Sequence, residues 1–398
     1  MNQQPLAGIT VLDFGQVYNG PYCGFLLTQA GARVIKVESL IGETIRPKKN
    51  KDVSFFPFNN LNFNKECIAI DLKKAPGREI VRALSKKVDV VLQNFAPGTM
   101  EKFGLGYTDL IAENPRLIYA MGTGYGSSEG PYRDFLGMDI TLQAMSGAMS
   151  VTGEEDGPPL KTPAAYIDFM AGAHLYGGIV TALFARSVSG KGAAVDISMQ
   201  DCAFPTLSTA IGSFYSEGEE LPRAGSRHPA KTVSPYNVYK AKDGHVAIIC
   251  IREGHWKKIC DAMGKPELKE DPRFSGAKAR GENIDEVDHL VTEWTSRLKR
   301  ETIFKIAQEC GVICAPVQTI SESVNDVHML SRGSLKKKTY SELGDVSFFQ
   351  TPIRFQDIDP PELKEVRQLG EDTNSVLSEF LSFDTEKLDS LETEGVIV

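Results

Sequence analysis

Short, nearly continuous apolar runs recur through the first two hundred residues, each separated from the next by a helical stretch. The runs Ile9–Phe14, Ala32–Glu38, Cys67–Leu72, Val88–Phe95, Leu117–Gly122 and Ala193–Met199 read as strands. Between them, Gly20-Pro21 opens a helix reaching about Ala30, and Pro76 starts another over Gly77–Lys87, where a missing N–H costs nothing. Strands that are apolar throughout belong in a parallel sheet covered on both faces. This predicts an α/β fold with a doubly wound parallel sheet. After about residue 226 the pattern changes. Val233–Ala241 and His245–Ile251 flank Lys242-Asp243-Gly244, which suits an antiparallel hairpin. Helices at His255–Met263, Ile284–Leu298 and Glu301–Cys310, then a strand over Ala315–Ile320, complete a smaller α+β domain. The charged, helical end, 350–398, is expected to pack back onto the first domain.

The 398 residues carry a net charge of −8, which argues against a general nucleic-acid binder. Apolar runs are interrupted well short of the ~18 residues a membrane span needs, and the start has neither a basic nor an apolar leader region. The seven scattered cysteines fit reduced thiols, so a cytoplasmic enzyme of small molecules is expected. Cys310 and Cys314 lack the second close pair that a zinc site would want, and no metal is expected.

Gly122-Thr-Gly124-Tyr-Gly126 follows a strand but lacks the spacing of a dinucleotide fingerprint. It reads better as backbone that a ligand approaches closely. Arg46, Lys48, Lys49 and Lys51 crowd one loop, while Lys73, Lys74 and Lys102 follow strand ends. They read equally as a phosphate-binding crevice or as solvated surface. Asp168 sits near the start of a long apolar helix. There it is either the helix N-cap or a carboxylate kept ionised by the helix's positive end, as nucleophilic catalysis requires. His174 falls on a different face, and no G-x-S-x-G elbow is present.

Taken in order, Leu6–Asp13, Gly20-Pro21, Gly31–Glu38, Asn64-Lys65, Asp71-Leu-Lys73, Asn94–Gly98, Gly104–Tyr107, Gly137-Met138-Asp139, Ser146-Gly147, Asp168, Ser189–Gly192 and Val195-Asp196 resemble the family III CoA-transferases, also called the CaiB/BaiF family. Pro235-Tyr236, Asp243-Gly244, Gly311-Val312 and Ala315–Val317 carry the likeness through the small domain. The resemblance implies a large Rossmann-like domain built from both chain ends (1–200 and 350–398), a small domain (226–325), linkers at 201–225 and 326–349, and an interlocked homodimer. It implies acyl-CoA and a small carboxylic acid, often a dicarboxylate, as substrates, with no tightly bound cofactor. It also implies that Asp168 is the nucleophile of a covalent CoA transfer. Val17, Tyr18, Lys73, Asn94, Phe95 and Lys102 match CoA-contacting places, with Gly137 and Met138 beside them. Two positions depart from the family. Ser39 stands where an Arg often follows the second strand, and Arg46 is expected to compensate. Ile251-Arg252-Glu253-Gly254-His255 replaces the glycine-rich loop of formyl-CoA transferases, which weakens a formyl/oxalate assignment. Arg252 and His228 are alternatives for a distal carboxylate or for structural hydrogen bonds.

The resemblance extends to α-methylacyl-CoA racemases, which need a second acid/base at the position of Met138. A thioether cannot move a proton, so transferase chemistry is favoured. A catalytically silent CoA binder and a nicotinamide oxidoreductase complete the alternatives.

Overall fold

The computed structural model describes residues 3–49, 52–229 and 233–398; Lys51 of the basic loop lies outside them. The chain separates into two compact units, one of residues 1–146, 163–206 and 327–398, the other of residues 147–162 and 207–326.

The first unit is built on a six-stranded sheet of β1 (Thr10–Asp13), β2 (Arg33–Glu38), β3 (Lys65–Ala69), β4 (Val90–Gln93), β5 (Ile118–Thr123) and β6 (Ala193–Ser198). The order is β3-β2-β1-β4-β5-β6 and all pairs are parallel. Its helices are α1 (Asn19–Gln29), α2 (Phe55–Asn62), α3 (Ala75–Ser85), α4 (Thr99–Lys102), α5 (Tyr107–Glu113), α6 (Asp139–Met145), α7 (Tyr166–Ser189) and α8 (Met199–Ala203). Alternate strand residues face opposite ways. Leu12, Ile35 and Val91 join Ile80, Val81 and Leu84 of α3 in one core, while Val11, Val34 and Val90 pack on Leu27 of α1 and Leu175 and Ile179 of α7 in the other. The sheet is thus covered on both faces, as its apolar strands predict. Among the described residues α7 alone is long and apolar enough to cross a membrane, contrary to the expectation that every apolar run is too short. Here it lies along the sheet instead.

The second unit begins its main stretch with α9 (Ser208–Glu217). It then forms the antiparallel strands β7 (Tyr236–Ala241), β8 (Gly244–Ile249) and β9 (Ile313–Pro316) in that spatial order. The expected hairpin about Asp243-Gly244 is present. Around the sheet run α10 (Glu253–Ala262), α11 (Ala277–Glu282), α12 (Ile284–Thr295), α13 (Arg300–Cys310) and α14 (Ile320–Ser323), with Trp256, Tyr239 and Phe274 buried between them.

The chain re-enters the first unit at α15 (Val327–Ser331). The stretch read from sequence as a linker over 326–349 holds a second hairpin, β10 (Leu335–Tyr340) and β11 (Gly344–Phe349), whose Phe348 joins Phe25, Phe55 and Phe63. Its three successive lysines hid the strand, because they fall on a hairpin edge and not in an apolar run. The final helices α16 (Thr373–Leu381) and α17 (Thr385–Thr393) pack Val376, Leu377, Leu388 and Leu391 into the first core.

Beneath the sheet's carboxyl edge lies a group of buried charges. Lys65 Nζ meets Asp13 Oδ2 at 2.7 Å with both side chains at 1% exposure or less, and Lys36 pairs with Glu43 at 3.1 Å. Burial lowers the Lys65 ammonium despite Asp13; for Lys36 burial acts the same way, but Glu43, Asp13 and Glu38 together raise it. Removing one partner of such a pair strands the other charge in a low-dielectric site. Lys65→Met is therefore expected to cost about 3–5 kcal/mol in urea unfolding, whereas Glu293→Gln, at the exposed Arg297 and Lys265 pairs, changes stability by less than about 1 kcal/mol.

Candidate functional site

Strand order reverses between β1 and β4, and the loops beyond their carboxyl ends part there, as they do at ligand crevices of doubly wound sheets. A cavity of about 320 Å³ opens at this point. The β1 loop contributes Gln16, Val17 and Asn19; the β4 loop contributes Asn94, Phe95, Ala96 and Pro97. Gly122, Thr123 and Gly124 line it at the end of β5, with Phe135, Leu136, Gly137 and Met138 from the following loop, Asp168 from α7 and Met199 from α8.

The β1 loop is fixed from below. Gly15 N–H donates to Asp13 Oδ1 at 2.7 Å, and Lys36 Nζ donates to the Gly15 carbonyl at 2.8 Å. Val17 N–H donates to Glu43 Oε2 at 2.9 Å. These contacts hold Val17 at φ 63°, a left-handed conformation that a β-branched residue adopts only when its surroundings impose it. The side-chain amide of Asn94 accepts from Gln16 N–H at 2.8 Å and donates to the Gln16 carbonyl at 2.9 Å. Asn94 thus clamps one loop to the other.

Asp168 is the third residue of α7, whose N-cap is Ala165. Of the two sequence readings of Asp168, capping does not occur. Asp139, at the start of α6, supplies the cap instead: its Oδ2 accepts the N–H groups of Ile167 at 3.0 Å and Asp168 at 3.2 Å. The Asp168 side chain is left free to face the cavity, and no hydrogen bond reaches its carboxylate from the described residues. Burial, and then the negative charge of Asp139, push its carboxyl up to about 7. This corrects the expectation that the helix end keeps it ionised: Asp139 already occupies the free amides and adds a like charge.

Asp168 is the one titratable side chain among the residues that line the cavity. Met138 is on the same wall, while His174 is exposed and sits with Nδ1 2.9 Å from the Met170 carbonyl. Gly137 packs directly on Gly124, since a Cβ there would lie 2.8 Å from the Gly124 Cα. Within the G-x-G-x-G segment, the close approach to Gly124 is made by the Gly137 backbone, while Gly122 and Gly124 line the cavity.

Of the residues named from sequence, the structure brings Val17, Asn94, Phe95, Gly137, Met138 and Asp168 to one cavity. Tyr18 stands just outside its wall, stacked on Phe169 with ring centroids 5.7 Å apart. Lys73 and Lys102 are exposed beyond the carboxyl ends of β3 and β4 and do not line it. Arg46 is placed otherwise than expected. It pairs with Glu38 and donates to the Arg367 carbonyl at 3.1 Å, with its guanidinium over the Phe58 ring. It is fully engaged where it stands, so compensation for Ser39 has no support in its placement. Arg252 and His228 belong to the second unit. No metal-binding group of His, Cys, Asp or Glu occurs among the described residues. Sequence reasoning missed Gln16, Asn19, Thr123 and Met199 on the wall and the capping role of Asp139. Their one available signal was position at or just beyond the end of a strand, or at the start of a helix.

The raised carboxyl of Asp168 has a stability consequence. From an ordinary value of 3.8 it moves to about 7, so the folded state holds this proton more tightly than the unfolded state. Its burial therefore opposes folding fully above about pH 7, and that opposition fades as pH falls toward 4. Asp168→Asn should melt above wild type at pH 8, with the advantage vanishing near pH 4 in a thermal-unfolding series.

The chain matches the family described as CoA-transferase family III over residues 6–373. It is 34% identical over 362 residues to the acetyl-CoA:oxalate CoA-transferase of Acetobacter aceti, covering 90% of each protein. It is 34% identical to the succinyl-CoA:mesaconate CoA-transferase of Haloarcula hispanica, covering 83% of this chain and 84% of that one. A crystal structure of a CaiB/BaiF family protein from Brucella suis superposes with a TM-score of 0.83 at 33% identity, over 95% of this chain and all of that one. The Rv3272 protein of Mycobacterium tuberculosis gives a TM-score of 0.82 at 27% identity, over 94% and 99%. With a family match across nearly its whole length, this chain belongs to CoA-transferase family III.

Proposed function

We propose that the protein transfers coenzyme A from an acyl-CoA to a free carboxylic acid through covalent intermediates on Asp168. The observation that carries this reading is the carboxylate itself: half-buried, without a hydrogen-bond donor, and the sole titratable group on the wall of the switch-point cavity. A poorly solvated carboxylate is a good nucleophile toward a thioester once ionised. Two-base proton transfer needs a second group, and Met138 and the remaining wall residues supply none.

An Asp168 oxygen attacks the thioester carbonyl; the C–S bond breaks, leaving a mixed anhydride and CoA thiolate. The thiolate attacks the aspartyl carbonyl, and the donor acid departs with one former Asp168 oxygen. The acceptor carboxylate then attacks the aspartyl-CoA thioester, forming a second anhydride and regenerating thiolate. Attack of the thiolate on the acceptor's acyl carbon gives the new acyl-CoA and free Asp168. Holding thiolate and anhydride side by side replaces an encounter in solution, and effective molarities of ~10⁵ M or more are available to well-placed groups.

The adenine-nucleotide end of CoA is assigned to Lys73 and Lys102, which are exposed beyond the carboxyl ends of β3 and β4. Oxalate and mesaconate in the names of relatives point to a small dicarboxylic acid as acceptor. The reading includes an interlocked homodimer. It is supported by large apolar side chains that one chain leaves exposed, Phe184 and Val188 on α7 and Tyr215 on α9.

Mixing the enzyme with acetyl-CoA or succinyl-CoA should produce a CoA-sized adduct in intact-protein mass spectra, absent in Asp168→Asn. Deuterium entering the α-position of a branched acyl-CoA with no adduct would contradict the proposal. The rate of adduct formation should rise with pH through about 7 as Asp168 ionises.

A further inference from the structure

The cavity holds two polar side chains with no partner in the protein. Asn19, the first residue of α1, is 2% exposed, and neither its amide oxygen nor its amide nitrogen has a hydrogen-bond partner. Thr123, the last residue of β5, is 6% exposed and its hydroxyl is equally unpartnered. Both line the cavity with Asp168. A buried donor or acceptor left unmet is costly, so unpartnered groups collected at one cavity call for an outside partner.

Backbone packing brings them together. An ideal Cβ on Gly122 would lie 2.8 Å from Asn19 Oδ1 and 2.9 Å from its Nδ2, so the amide rests on the β5 backbone one residue before Thr123. Gly172, one helical turn beyond Asp168 on the same face of α7, has its Cβ position 2.7 Å from the Asn19 carbonyl oxygen. The start of α1 is thus pressed between the end of β5 and the turn of α7 that carries Asp168.

The partner's chemistry follows from what the wall lacks. No Lys, Arg or His lines the cavity, so negative charge developing on a carbonyl oxygen beside Asp168 has no cationic side chain there to meet it. We infer that the Asn19 amide N–H and the Thr123 hydroxyl are the oxyanion-binding donors of this enzyme, receiving the carbonyl oxygen of the acyl group that Asp168 attacks. The inference rests on the covalent reading above. As the Asp168 oxygen–carbon bond forms, the carbonyl π pair moves onto oxygen, where the two donors hold it without giving up a proton. The pair returns as the C–S bond breaks and thiolate leaves. Fixed neutral dipoles suit this task, because they favour the transient charge without drawing a permanent counter-ion into the site.

Thr123→Val and Asn19→Leu keep shape while removing the donors, and pre-steady-state adduct formation with acetyl-CoA and succinyl-CoA tests them. Both variants should melt no lower than wild type, since each removes an unmet buried polar group. Adduct formation should slow about 10²–10³-fold, with little change in KM for acyl-CoA, and Thr123→Ser should recover most of the rate lost in Thr123→Val. Adduct formation at the wild-type rate, or a loss confined to KM, would overturn the inference while leaving covalent transfer intact. Wild type forming no adduct at all would instead remove the covalent reading and this inference with it.

Discussion

The buried charges under the β1 loop are the constraint on which the site rests. Asp13, Lys36, Glu43 and Lys65 lie where ions are expensive, and hydrophobic residues of the same volume would often stabilise the fold as well or better. What apolar residues would not do is hold a loop. Asp13 and Lys36 grip the Gly15 peptide from either end, and Glu43 takes the Val17 N–H. Together they keep Val17 left-handed and aim the start of α1 at the cavity. Strain at Val17 and paired ions beneath it are two halves of one arrangement.

A second consequence of helix geometry sets the chemistry of Asp168. The free amides at a helix start normally stabilise an anion. In α7 they are taken by Asp139, which reaches across from α6. Asp168 is consequently placed by its helix but not stabilised by it. Burial and then the neighbouring carboxylate push its carboxyl up to about 7. Asp139 does the capping and Asp168 is left facing the cavity, although either would have suited the role of cap on composition alone.

The sheet was legible because its strands are buried on both faces, which writes near-continuous apolar runs into the sequence. All six were placed to within a few residues, and the β7–β8 turn announced itself through Asp243-Gly244. The β10–β11 hairpin was not legible, since Lys336, Lys337 and Lys338 disguise an edge strand as a solvated linker. At the site, the place of Asp168 near the start of an apolar helix left it between helix cap and nucleophile, and the family resemblance alone singled it out. Asn19 and Thr123 did not stand out: an Asn opening a helix and a Thr closing a strand are ordinary in those positions. Their lack of partners emerges only when α1, β5 and α7 are packed together. Arg46 failed for the opposite reason, because spacing shows a cation near a strand end but not the Glu38 carboxylate that has already engaged it.

Covalent transfer through Asp168 moves oxygen atoms as well as CoA. On the proposed route, each turnover would send one Asp168 carboxylate oxygen out with the donor acid and leave one acceptor oxygen behind on Asp168. Turnover with a heavy-oxygen-labelled dicarboxylate acceptor, followed by proteolysis and peptide mass analysis, reads this directly. Label accumulating in the peptide that carries Asp168 is the predicted result. Label confined to the acceptor and its CoA ester, with that peptide unchanged after many turnovers, would contradict covalent catalysis at Asp168.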